Sequence, residues 1–275
     1  TSRGVYTGAI GWLAPSRDGC FNVAIRTAEL RRDGQLFYGV GGGIVWDSDQ
    51  AVEAQECLQK ARVIAEPAQS DFKLVETLRW SAAEGYWLFT EHLQRLAASA
   101  DYFDYPLQQA DLLSRLGNLV ATFEGPMQRV RLTLSKTGEI ELSHQPMRFD
   151  SQPVKVAIHP KRLTEDSPLR YHKTDPRPWL SGVPAMEGVD DWLLLNSRGE
   201  LTESTIANLV VCHQGRWITP PLDAGLLPGT YRQRLLQSGR LAEQRVTPEM
   251  LSTVTGLALI NSVRGWRSAV LVDLP

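Results

Sequence analysis

Residues 193–211 read LLLNSRGELTESTIANLVV, two apolar runs on either side of a polar stretch. The expectation is a strand ending at Leu201, a polar corner carrying Glu203, Ser204 and Thr205, and a second strand from Asn208. Taken alone, this is a hairpin whose turn is rich in hydroxyls. Downstream, LLPGTYRQRLL at 226–236 places Gly229 at the start of a helix expected over 229–239. That is an anion site in principle and equally an ordinary Pro-Gly helix entry. A further helix is expected over 247–252, among short strands from Trp192 onward. Upstream, LRYHKTDPRPWL at 169–180 places Lys173 between an aromatic-rich strand and a helix. The other lysines are Lys60, Lys73, Lys136, Lys155 and Lys161, and on composition alone each of the six reads as solvated.

From residue 72 the pattern is α+β. Residues 72–80 and 85–89 read as a strand pair, and TEHLQRLAASADYF at 90–103 reads as an amphipathic helix followed by another at 108–123. MQRVRLTLS and IELSHQ alternate around KTGE as a hairpin, and 153–159 adds a strand. The signals are mostly antiparallel, and no internal repeat occurs. The expected domains are 1–63, a linker at 64–71 (IAEPAQSD), and 72–275, the last with a small part over about 72–160 and a large part over about 170–275.

Residues 1–63 open with strands at YTGAIGWL, FNVAIRTAEL and QLFYGVGGGIVW, then a helix from Ser48 to Val63 capped by Ser48 or Asp49. On that helix Glu53, Glu56 and Lys60 share a face. Two carboxylates can hold Mg²⁺, and Lys60 and Arg26 can meet anionic groups. The run Gly41, Gly42, Gly43 lets backbone N–H groups approach a carboxylate. An ion-paired surface helix, a tight turn and a solvated arginine account for the same residues. No Gly-Lys-Ser/Thr follows the glycines, which excludes a P-loop.

Composition bounds the function. The chain has 275 residues, 43% hydrophobic and 22% charged, with a net charge of -2. This is a globular composition. Basic residues do not cluster with aromatics, which argues against nucleic-acid binding. No apolar run approaches the roughly 18 residues of a membrane helix. Cys20, Cys57 and Cys212 are odd in number and far apart, so neither a disulfide framework nor a zinc ribbon is expected. The start at Thr1 has no basic-then-apolar leader, so a cytoplasmic setting is expected.

Two resemblances sharpen these readings. RGVYTGAIGW, VAIRT, GVGGGIVWDSD and VEAQECLQKA, in that order, resemble the C-terminal end of chorismate-utilising enzymes. The resemblance implies a vestigial Mg²⁺ site at Glu53 and Glu56, filled only were the rest of such a domain present, and a vestigial chorismate site at Arg26, Gly41, Gly42, Gly43 and Lys60. Ala54 stands where that family usually has Tyr. Only the last part of such a domain is present, so the segment is expected to be a truncated, catalytically inactive tail of a fused synthase–lyase.

FKLVETLRW, EHLQRLAAS, YHKTD, LLLNSRGELTESTIANLVV, PPLDAGLLPGTYRQ and LINSVRGW resemble aminotransferase class IV, a family of pyridoxal-phosphate enzymes that includes transaminases and aminodeoxychorismate lyase. Its two-domain α+β fold is implied for 72–275. The resemblance makes Lys173 the lysine that bonds the cofactor and Glu203 the partner of its ring nitrogen. Arg95, Thr230, Tyr231 and Ser262 would hold its phosphate, with Asn208 near the ring. Thr-Tyr stands where Ile-Thr is usual after Gly229, which puts the hydroxyl contact there in question. Thr77 aligns with a strand position facing the cofactor, where its hydroxyl can bond the lysine amine. Arg264 and Arg177 are candidates for substrate carboxylates. The implied activity is elimination of pyruvate from 4-amino-4-deoxychorismate to give 4-aminobenzoate, in a homodimer, with transamination of a D- or branched-chain amino acid as the alternative. A non-catalytic chorismate-binding remnant is the third reading.

Overall fold

The computed structural model describes residues 3–65, 72–163, 167–175 and 177–272. The expected linker falls almost wholly outside them. The chain divides into two compact units, Thr1–Ser70 and Asp71–Pro275.

The first unit holds two hairpins and a helix. β1 (Ala9–Leu13) pairs with β2 (Gly19–Val23), and β3 (Ala28–Leu30) with β4 (Leu36–Tyr38). The expected strand FNVAIRTAEL is broken because Arg26 adopts φ 52°, a left-handed conformation no strand accommodates. α1 spans Gln50–Ala65. Asp49 caps it by accepting from the Ala51 and Val52 N–H groups, while the Ser48 hydroxyl turns to Glu53. Ala24 is the one buried hydrophobic residue among those described in this unit. Trp12, Phe21, Ile44 and Trp46 are all exposed.

The second unit contains two sheets. β5 (Lys73–Ser81), β6 (Gly85–Tyr86), β7 (Met127–Leu134), β8 (Ile140–Pro146) and the short β10 (Thr174–Asp175) form the first, in the order β10-β5-β7-β8 with β6 on β5. Alternation puts Leu74, Leu78, Val130, Leu132 and Leu134 in one core with Leu96 of α2 (Phe89–Phe103) and with Leu112 and Leu116 of α3 (Gln109–Leu119). A single 3₁₀ turn, Val120–Thr122, continues α3.

The second sheet takes β9 (Val154–Arg162), β11 (Asp191–Leu195), β12 (Leu201–Ser204), β13 (Asn208–His213), β14 (Arg216–Thr219), β15 (Ala242–Glu243), β16 (Gly256–Asn261) and β17 (Gly265–Leu271). Its order is β12-β11-β9-β17-β16-β13-β14-β15, and β12 also pairs with β13. The first six strands of that path therefore close into a ring. α4 (Thr230–Gln237) covers Val210 and Ile260 of the ring through Leu235.

The pairing is mostly antiparallel, as expected, but with parallel exceptions, and one expected helix is a short turn. β9 runs parallel to both β11 and β17, and β14 parallel to β15. Ring closure, not hairpin succession, sets both neighbours of β9, while the β14–β15 pair lies outside the ring. The segment 247–252 forms a short 3₁₀ turn, Glu249–Ser252, not an α-helix.

Candidate active site

A cavity of about 440 Å³ opens between the two sheets of the second unit, and both sheets line it. Lys173 enters it from the first. It precedes β10, and its carbonyl accepts from the Val75 N–H at 2.8 Å, anchoring the backbone to β5. Burial drives the Lys173 amine down to about 8, and the nearby Arg95 and Arg177 guanidinia push the same way. An amine in this state is substantially neutral near pH 8, and a neutral amine is a nucleophile and a base.

Glu203 enters from the second sheet. It lies inside β12, not in the turn after it, because β12 begins at Leu201. The Leu227 N–H donates to its carboxylate at 3.2 Å and the Asn208 amide at 3.4 Å. Burial raises the Glu203 carboxyl to about 7 against these donors and the pull of Arg177 and Arg170. Its charge is thus set by whatever basic group enters the cavity.

One end of the cavity is rich in donors. Gly229 precedes α4, no side chain caps the first amides of that helix, and Gly229 and Thr230 line the cavity. A Cβ at Gly229 would sit 2.0 Å from Asn208 Oδ1, so only glycine allows this approach. Thr230 and Ser262 are buried and line the same cavity. The turn carrying Ser262 is fixed by Asn261 Oδ1, which accepts from the Val263 and Arg264 N–H groups at 3.0 and 2.7 Å.

Arg95 also lines the cavity, and its orientation is over-determined. Its Nε and Nη2 donate to the two Glu76 oxygens at 2.8 and 2.6 Å, and its Nη1 to the Pro228 carbonyl at 3.1 Å. His92 Nδ1 donates to Glu76 at 2.6 Å, and its Nε2 lies 3.5 Å from the Thr230 hydroxyl. Burial pushes the Glu76 carboxyl up, but Arg95 and His92 overcome it and hold it down to about 2.

A family model described as amino-transferase class IV matches residues 73–272. The chain belongs to amino-transferase class IV. A second model, chorismate binding enzyme, matches residues 1–66. A Schizosaccharomyces pombe protein provisionally named as an aminodeoxychorismate lyase is 32% identical over 202 residues, covering 69% of this chain and 86% of that protein. The first unit is similar to anthranilate synthase component 1 of Cereibacter sphaeroides, 43% identical over 67 residues, 24% of this chain and 13% of that enzyme. The chain thus spans about an eighth of that enzyme's length. A crystal structure of a provisionally named amino-acid aminotransferase from Mesorhizobium loti superposes with a TM-score of 0.70 at 32% identity, covering 74% of this chain and all of that one.

Class IV enzymes depend on pyridoxal phosphate, and this donor set suits it. A nucleophilic amine, a carboxyl for a ring nitrogen, and hydroxyls and amides at a helix start for a phosphate face one cavity. Of the residues singled out in the sequence, Thr77, Arg95, Lys173, Arg177, Glu203, Asn208, Thr230, Ser262 and Arg264 all line it. Tyr231 is not in the lining; its ring packs on Trp87 at 4.8 Å. Arg177 donates to the Thr205 carbonyl at 2.8 Å. The Thr77 hydroxyl makes no hydrogen bond among the described residues.

Sequence reading missed Glu76 and His92. Their signal was present: Glu76 sits at a core-facing position of β5 and His92 one turn before Arg95 on α2. In the first unit, Lys60 pairs with Glu56 at 2.7 Å and donates to the Gly41 carbonyl at 2.9 Å. A Cβ on Gly42 would meet Glu53 at 2.7 Å, while Gly43 stands in open space. Arg26 is exposed between β2 and β3. No group of three or more ligating side chains gathers at Glu53 and Glu56 among the described residues. No described helix is long and apolar enough to cross a membrane.

Proposed function

We propose that the second unit eliminates pyruvate from 4-amino-4-deoxychorismate, leaving 4-aminobenzoate, with pyridoxal phosphate bonded to Lys173. The observation carrying this choice within class IV is the chorismate-binding match at residues 1–66 directly ahead of the class IV match at 73–272. Enzymes that make and cleave one chorismate derivative act consecutively, so their joining in one chain favours that substrate. The similarity to the fission-yeast protein supports the same reading.

Each residue then has a task. Arg95, Thr230, Ser262 and the open end of α4 would hold the phosphate. Tyr231 would contribute there only through its backbone, since its ring lies on Trp87. Glu203, kept in place by Asn208 and Leu227, would hold a proton on the ring nitrogen. When bound, pyridoxal phosphate supplies an electron sink for charge left on the amine-bearing carbon. The Lys173 amine, freed when the substrate amine takes its place on the cofactor, would take the proton from that carbon. The carbon–oxygen bond to the enolpyruvyl group breaks, the ring becomes aromatic, and the departing group takes up a proton to become pyruvate. Thr77 would hold the lysine amine after the proton is taken. Arg264 and Arg177 would meet substrate carboxylates. Residues 1–63 are read as a catalytically inactive tail, 64–71 as a linker, and the active form as a homodimer.

The test is to supply 4-amino-4-deoxychorismate and, separately, a D-amino acid with a keto-acid acceptor. Stoichiometric 4-aminobenzoate and pyruvate support the lyase. A protein that only transfers amino groups, as the Mesorhizobium name suggests of that protein, sinks it.

A further inference from the structure

The cavity-facing side of the first sheet of the second unit carries an excess of positive charge. Leu74, Leu78, Val130 and Leu132 fill the core, so Thr77, Arg79, Arg129 and Arg131 stand on the other face. The register sets Arg79 directly opposite Arg129, and like charges so opposed destabilise a sheet. Arg79 is accounted for: it stacks on Trp87 at 3.8 Å and donates to the Val263 carbonyl at 3.4 Å. Arg131 pairs with Asp175 at 3.0 Å. Arg129 has no ion-pair or hydrogen-bond partner for its guanidinium among the described residues. The same holds for Arg148, just beyond β8, and for Arg264 in the turn between β16 and β17.

These three line the cavity that holds Lys173 and Glu203. The whole lining sets six arginines and one lysine against a single carboxylate. Arg95 is neutralised by Glu76 and Arg131 by Asp175. Arg177 is engaged with the Thr205 carbonyl, so the lining guanidinia left with neither an ion pair nor a hydrogen bond among the described residues are those of Arg129, Arg148 and Arg264. One bidentate guanidinium satisfies one carboxylate, so three free ones on two walls are more than an ordinary amino acid uses.

We propose that Arg129 and Arg148 complete, with Arg264, an anion site in this cavity, and that this site selects amines bearing two carboxylates over those bearing one. The proposal rests on the reading of the cavity as an amine-processing site and names what that site discriminates. Arg129 and Arg148 are specificity residues that meet the substrate's carboxylates and leave the proton-transfer machinery untouched.

The probe is isophthalate, a ring with two carboxylates, against benzoate with one, each titrated calorimetrically into the cofactor-loaded protein. The parent should bind isophthalate about tenfold or more tighter than benzoate. In Arg129→Gln/Arg148→Gln that preference should fall to within about twofold, while the double lysine variant keeps part of it. Added salt should narrow the parent's preference, since the guanidinia are exposed. Should the double variant fail to fold, each single glutamine variant should lose part of the preference. A parent with no preference, or a preference that survives the glutamine substitutions, overturns the proposal. Release of 4-aminobenzoate is followed in parallel. A parent that only transaminates yet prefers isophthalate retires the lyase reading and leaves the anion site standing.

Discussion

Glu203 and Asn208 are cross-strand partners at the single bridge joining β12 to β13, and the Asn208 amide reaches the Glu203 carboxylate at 3.4 Å. The pairing that closes the strand ring is also the one that holds the acid of the candidate site. Asn208 in turn donates to the Leu227 carbonyl at 2.9 Å, while the Leu227 N–H donates to Glu203. Carboxylate, amide and loop fix one another, so the acid needs no mobile partner to stay aimed.

Glu203→Gln keeps an acceptor for the Leu227 N–H and removes the charge. The variant should retain bound cofactor by its visible absorption and lose activity by roughly a hundredfold. Unchanged turnover would remove Glu203 from the chemistry.

Lys173 carries a pH signature. Its amine is brought down to about 8, so the nucleophilic form is the majority above that pH. Cofactor uptake by the cofactor-free protein should rise with pH around a midpoint near 8, followed by absorbance. Lys173→Ala should abolish both the band and borohydride trapping. In Arg95→Gln the midpoint should move up, because a repelling charge is gone. A midpoint near that of a free lysine would disprove the buried environment.

The Glu76–His92–Arg95 cluster predicts an acid-limb effect. The Glu76 carboxyl is held down to about 2, below its unfolded value, so its stabilisation is complete above the unfolded value and is lost as pH falls toward 2. Glu76→Gln should cost roughly 3 kcal/mol near neutrality by leaving Arg95 unpaired. It should also flatten that part of the stability–pH curve in urea titrations, and weaken cofactor affinity because Arg95 loses its aim. Equal pH slopes in parent and variant would contradict the pairing.

Thr77 lines the cavity on β5 directly opposite Arg131. If its hydroxyl steadies the Lys173 amine once the substrate proton is taken, Thr77→Val should cut pyruvate elimination by roughly tenfold while sparing amino transfer. Equal loss of both activities would assign Thr77 to packing alone.

That Lys173 and Glu203 face one cavity was legible because each sits in a short motif whose order along the chain fixes its neighbours. The core of the first sheet was legible because β5 and β7 alternate strictly around Leu74, Leu78, Val130 and Leu132. The ring was not. β9 pairs in parallel on both sides through long-range neighbours, and periodicity carries no record of distant partners. Glu76 and His92 escaped because a charged residue at a core-facing position resembles a break in the pattern until its partners are known. The strand end placed at Leu201 was early by one element, since residues 201–204 belong to β12.

The ring also orders events in time. β17 lies between β9 and β16, with Ala269 opposite Val154 and Ile260 opposite Trp266. Lys173, Glu203 and Thr230 all emerge from the ribosome before this strand, yet the wall that carries Ser262 and Arg264 is held only once β17 has docked. Pairing of such high contact order is slow to form. A growing chain halted before Gly265 would present every residue proposed to hold the cofactor and still lack the closed ring of strands beside them.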